Sequence, residues 1–96
     1  MKPSLALEQH RLEARALPLH FKADNLRVFG SVLNGQDHEG SDLDLLVDPL
    51  PGATLFDLGG LQIELETLLG VKVDLLTPRD LPESFRGQVL SSALRV

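Results

Sequence analysis

The sequence predicts an α/β fold of the α+β kind, a small mixed β-sheet of three or more strands packed with helices. Three observations predict it. Short runs rich in Leu and Val recur at 26–29, 43–47 and 71–76. Between and beyond them lie stretches with the three- and four-residue apolar spacing of helix faces. Gly, Pro and Asn punctuate the joins. The expected order is α-β-α-β-α-β-α over 96 residues, a length that suits one domain spanning 1–96.

The first helix is expected over Ser4 to Leu17, opened by Pro3 and stopped by Pro18, with Leu5, Leu12 and Ala16 on its buried side. Leu26 to Phe29 reads as a short strand. Residues 31–40 carry the turn formers Asn34, Gly35 and Gly40 and few apolar groups. One helical turn after Ser31, followed by a loop, fits them best. A second strand runs from Leu43 to Val47, closed by Asp48-Pro49 and Pro51-Gly52. Thr54 suits a helix N-cap, with Asp57 three residues on to complete a capping box. That helix is expected to end at Gly70. Its stripe Leu58, Leu61, Leu65 and Leu68 is the face to bury. Val71 to Leu76 is a third strand, ended by Thr77-Pro78. A last helix starts near Pro82 and places Phe85, Val89 and Ala93 on one side.

The second strand carries the first sign of chemistry. Residues i and i+2 share a strand face, so Asp42 and Asp44 point the same way, with Cα atoms about 6.6 Å apart. Leu43, Leu45 and Val47 point into the core. Like charges side by side weaken a sheet, and a cation between them turns repulsion into attraction. Asp48 shares the acidic face but lies about 13 Å from Asp44 along the strand, too far for the same ion. The third strand repeats the pattern. Val71, Val73 and Leu75 make one face, while Lys72, Asp74 and Leu76 make the other. If these strands are neighbours, Asp74 lies about 4.8 Å sideways from the Asp42–Asp44 row. Three carboxylates on one spot suit two Mg²⁺ ions that clamp a phosphoryl displacement.

Gly30-Ser31 precedes Asp42 by ten residues. Glycine lets backbone approach a ligand closely. A helical turn opened by Ser31 offers free N–H groups and a hydroxyl to phosphate oxygens. Since Gly30-Ser31 ends one strand and Asp42 opens the next, a shared site requires those two strands to be antiparallel neighbours.

Composition narrows the function classes. Hydrophobic content is 43% and all four aromatics are Phe, so the core is expected to be mainly Leu and Val. Without Cys, thiolate metal sites and disulfides are excluded. No apolar run approaches the ~18 residues of a membrane span. The first residues lack a signal-peptide core, and a cytoplasmic location is expected. The net charge of −5 argues against direct nucleic-acid binding through a basic face. It leaves room for a nucleotide whose charge is met by Mg²⁺.

Other residues carry weaker readings. Phe56, Gly60 and Ile63 form a second stripe on the third helix. Either a partner helix or the chain's own last helix covers it. His10, His20 and His38 are scattered and read as solvated. Arg79 and Arg86 are open to phosphates, a partner or solvent.

Together, Gly30-Ser31, ten residues, Asp42-Leu43-Asp44 and the later Asp74 in Val-Lys-Val-Asp-Leu-Leu resemble the nucleotidyltransferase fold shared with DNA polymerase β. The likeness is to its minimal nucleotidyltransferase proteins and covers nearly the whole chain. It implies the antitoxin half of a toxin–antitoxin pair, transferring AMP from ATP to a tyrosine of a HEPN-domain ribonuclease toxin and joining it in a hetero-oligomer. It also implies that Asp42, Asp44 and Asp74 bind Mg²⁺, that Asp74 assists deprotonation of the attacking hydroxyl, and that Gly30 and Ser31 hold the triphosphate. The chain departs from the family at Leu33-Asn34-Gly35, where Ala-Arg commonly precedes the glycine. A cation near the phosphates is missing from that position. An antitoxin that neutralises by binding alone, or a nucleotidyltransferase with another acceptor, are the alternatives. The chain has no Tyr, so a tyrosine acceptor must come from another molecule.

Overall fold

The computed structural model describes all of residues 1–96. Its elements are α1 (Pro3–Gln9), α2 (Arg11–Ala16), β1 (Ala23–Phe29), α3 (Gly30–Leu33), β2 (Leu43–Pro49), α4 (Leu55–Leu69), β3 (Val73–Leu76), α5 (Glu83–Ser92) and β4 (Leu94–Arg95). The four strands form one mixed sheet in the order β3-β2-β1-β4. β1 pairs antiparallel with β2 and β4, while β2 and β3 run parallel. This is an α+β architecture, a four-stranded mixed sheet packed with helices.

The expected first helix is two helices. The chain breaks at His10, whose φ of −124° lies outside the helical range. The buried side also differs from the expected one. Ala6, Leu7 and Ala14 are buried, whereas Leu5, Leu12 and Ala16 are exposed. Small side chains let these short helices lie close to the sheet. Leucine size outweighed this spacing in the sequence reading.

β1 starts three residues earlier than expected. Its register shifts between Asp24 and Arg27, around Asn25 with φ +57°. A bulge lengthens the strand without changing which face Val28 buries. The capping box of α4 is present, with Asp57 N–H reaching Thr54 Oγ1 and Thr54 N–H donating to Asp57 Oδ2. Leu61, Leu65 and Leu69 are buried from that helix, while Leu58 and Leu68 pack at the margin of the core. Gly70 ends it at φ +67°.

The core joins α1, α2 and α4 to one sheet face through Leu43, Leu45, Val47, Val73, Leu26 and Val28. α5 adds nothing to it. None of its residues is buried, and Phe85 is 45% exposed, against the expected apolar side. Val89 and Ala93 are half-buried. The short strand β4, absent from the expected order, holds the segment after α5 against β1. No helix is long and apolar enough to cross a membrane.

Candidate active site

The sheet register brings the chemistry-bearing residues to one end. Asp44 lies opposite Phe29 on β1 and opposite Asp74 on β3. The chain leaves β1 through Gly30-Ser31 directly into α3, so this turn stands beside the opening residues of β2. Both conditions set by the sequence are met, with β1 and β2 antiparallel and β2 and β3 adjacent.

Gly30 shows how close the approach is. It adopts φ +73°, and a Cβ at this position would fall on Asp44 Oδ2, with Asp44 Cγ at 3.0 Å. Only glycine fits both the backbone conformation and the contact. Ser31 follows, half-buried, and its carbonyl accepts the Gln36 N–H at 2.8 Å. This bond folds the 34–42 loop back under α3.

Burial raises the Asp44 carboxyl above its ordinary range, and the charges of Asp74 and Asp42 push it further in the same direction. Asp42 and Asp74 are exposed. None of the three forms a salt bridge. No group of three or more His, Cys, Asp or Glu side chains is arranged to hold a metal ion as the side chains stand, though Asp42 and Asp74 lie near enough to Asp44 to raise its carboxyl. The backbone register places Asp44 opposite Asp74, with Asp42 two residues before Asp44 on the same strand. The donor set still fits Mg²⁺, because hard carboxylate oxygens on adjacent strands are its ordinary protein ligands. Asn34 is exposed at the end of α3.

Asp48 stands apart as expected, though not idle. Arg27 Nη2 donates to its Oδ1 at 2.6 Å and Asn25 Nδ2 to its Oδ2 at 2.8 Å, pinning the β1 bulge. Arg86 spends its guanidinium on the Leu81 carbonyl at 2.8 Å. His38 turns its ring to the Glu39 carbonyl, and His10 pairs with Glu13. The stripe left open by sequence divides. Gly60 lies under the Phe21 ring, while Phe56 and Ile63 remain 92% and 62% exposed. A cavity of about 520 Å³ near β4, between Arg15, Asn25 and Arg95, has none of the three carboxylates in its lining. The carboxylate row itself is an open surface.

Two supporting residues escaped the sequence reading. Asp37, buried in the 34–42 loop, accepts the Ser4 N–H at 2.9 Å and ties that loop to α1. That bond holds its carboxyl below the ordinary range. Glu66, on α4, accepts the Val73 N–H at 2.9 Å. Neither belongs to a recognisable motif, because both partners are backbone amides, 33 and 7 residues away.

A sequence model of the nucleotidyltransferase domain matches residues 7–96. The chain is 34% identical to MntA of Thermococcus cleftensis, a protein adenylyltransferase, across 94% of this chain and 88% of that protein. It is 33% identical to a Methanocaldococcus jannaschii protein provisionally named a protein adenylyltransferase, across 91% of this chain and 96% of that one. A solved structure described provisionally as a minimal nucleotidyltransferase superposes with a TM-score of 0.86 at 42% identity, over 97% of this chain and 95% of that one. A toxin–antitoxin structure with AMP-PNP shares the fold at a TM-score of 0.65 and 21% identity, over 96% of this chain and 70% of that one. The register that sets Asp44 beside Asp74 and Gly30 is thus carried by a chain that belongs to the minimal nucleotidyltransferase family and is a nucleotidyltransferase enzyme.

Proposed function

We propose that this chain transfers AMP from ATP to a tyrosine of a cognate HEPN-domain ribonuclease toxin, with Mg²⁺, and so acts as that toxin's antitoxin in the cytoplasm. The observation that carries the reading is the meeting of Asp44, Asp74 and Gly30 at one end of the sheet. Relatives named protein adenylyltransferase support the reaction class. A toxin–antitoxin structure with AMP-PNP on the same fold supports the context.

In this reading Gly30 and Ser31 hold the triphosphate through backbone N–H groups and the serine hydroxyl. Asp42, Asp44 and Asp74 would hold two Mg²⁺ ions, which when bound neutralise the triphosphate and the charge that develops on it. Asp74 takes the phenolic proton of the acceptor tyrosine. The tyrosine oxygen then bonds to the α-phosphorus, the bond from that phosphorus to the bridging oxygen of the β-phosphate breaks, and pyrophosphate leaves. What the chain contributes is position and charge placement. Its open carboxylate surface leaves the acceptor protein to cover the reacting groups.

The test is to incubate the chain with its toxin, ATP and Mg²⁺ and weigh the toxin. A gain of one or more AMP units, absent with the Asp42→Ala/Asp44→Ala variant, is expected. Transfer that survives in this variant places the chemistry elsewhere. Protection of cells by a variant that no longer transfers AMP would instead establish neutralisation by binding.

A further inference from the structure

We infer that Glu66 is a positioning residue for Asp74, an inference that rests on reading the three carboxylates as the metal site. Glu66 is half-buried near the end of α4, and its Oε2 accepts the Val73 N–H at 2.9 Å. Val73 opens β3 and immediately precedes Asp74.

β3 needs such a restraint. It has four residues, lies at the edge of the sheet, and has β2 on one side only. The Leu43 N–H donates to the Lys72 carbonyl at 2.9 Å, so Lys72 presents its backbone groups to β2. Strand backbone groups alternate sides, and the Val73 N–H therefore faces outward, away from any strand partner. Glu66 meets that outward donor. The entry of β3 is then held from both sides, by β2 through Lys72 and by α4 through Val73. Only Gly70, Val71 and Lys72 link α4 to β3, and Gly70 is left-handed at φ +67°.

The catalytic consequence follows from strand periodicity. With Val73 opposite Leu43, Asp74 lies opposite Asp44. A slip of one residue would send Asp74 to the core face and Val73 out of it. Glu66 itself packs from the helix layer on the other side of the sheet edge. It holds the backbone that sets the Asp44–Asp74 spacing without touching the reacting groups.

The experiment compares the full chain with Glu66→Ala, Glu66→Gln and Asp74→Ala, reading Mn²⁺ binding by paramagnetic resonance without nucleotide. Exchange of the Val73 amide and thermal unfolding are followed in parallel. Glu66→Ala should weaken Mn²⁺ binding about tenfold or more, the usual scale for a residue that orients a ligand. Its Val73 amide should exchange faster. Glu66→Gln keeps an acceptor oxygen and should stay within about threefold. If Glu66→Ala does not fold, Glu66→Asp, too short to reach Val73, must show the same loss. Unchanged Mn²⁺ affinity in Glu66→Ala (or in the Asp variant replacing it) alongside weakened binding in Asp74→Ala overturns the inference. Unchanged affinity in Asp74→Ala as well overturns the carboxylate reading beneath it.

Discussion

At Asp44 the chain keeps a carboxylate where folding alone favours a neutral side chain. Burial and two neighbouring charges raise its pKa, so the folded state binds its proton more tightly than the unfolded state does. The stabilisation from that proton is complete below the unfolded value of about 3.9. It is lost as pH rises through the folded value. Asp44→Asn should therefore stabilise the protein at neutral pH by roughly 0.2–1 kcal/mol, the scale of a cross-strand charge pair. For a domain of this size that amounts to about 4–8 °C per kcal/mol in the melting midpoint. The same variant should lose AMP transfer, and a lower midpoint than wild type would contradict the assignment of the shift. Asp37 and Asp57 act in the opposite direction. Their carboxyls are lowered by the backbone N–H groups of Ser4 and Thr54, so their stabilisation is present above the unfolded value and disappears as pH falls through the folded one. Gly30→Ala combines a left-handed conformation with a clash on Asp44. Strain of this kind costs about 1–3 kcal/mol, visible in a urea titration.

Among the elements, α4 carries a paired test in two adjacent glycines. A Cβ at Gly59 meets nothing within 4 Å, whereas one at Gly60 would lie 2.9 Å from Phe21 Cε1. Gly59→Ala should stabilise by about 0.5–1 kcal/mol through helix propensity. Gly60→Ala should destabilise by about 1–3 kcal/mol, because the Phe21 ring must shift or the helix must lift. Equal effects from the two, measured as denaturation midpoints, would refute the packing of Phe21 on Gly60. The same helix shows what was legible in the sequence. Its cap at Thr54, the burial of Leu61 and Leu65 and its end at Gly70 follow local rules and are as expected, whereas Leu69 is buried where Leu58 and Leu68 are only partly so. The alternation in β2 and β3 likewise marked Asp42, Asp44 and Asp74 as set apart from the core residues of their strands, while the adjacency of those strands was a condition that only the structure meets. Tertiary choices were not legible. The break at His10 and the burial of Ala6 and Ala14 depend on how closely α1 and α2 approach the sheet. β4 has two exposed residues and no alternation to detect. Asp37 and Glu66 act on backbone amides 33 and 7 residues away, which no side-chain pattern encodes.

Taken whole, the molecule carries a net charge of −5, and no Lys or Arg is paired with its carboxylate row. A triphosphate brought alone to that row meets like charge, and Asn34 adds no cation. Nucleotide binding should therefore depend on the divalent ion far more than at a site lined by arginine. Ligand that binds only the folded state stabilises it by about 2.7 kcal/mol at a hundred times its Kd. Melting curves of the chain with AMP-PNP and Mg²⁺ should rise accordingly, by an amount that grows with ligand concentration. AMP-PNP with chelator should leave the midpoint nearly unmoved, as should AMP-PNP and Mg²⁺ with the Asp42→Ala/Asp44→Ala variant. A full rise in chelator would mean that the chain's own cations hold the triphosphate, with Arg27, Lys72 and Arg95 then the residues to replace. A full rise in the double variant would move the nucleotide away from β2 altogether. With 20 of 96 residues buried, a stabilisation of that size would be a large fraction of the total expected for so small a domain. The free chain should accordingly melt well below its nucleotide complex.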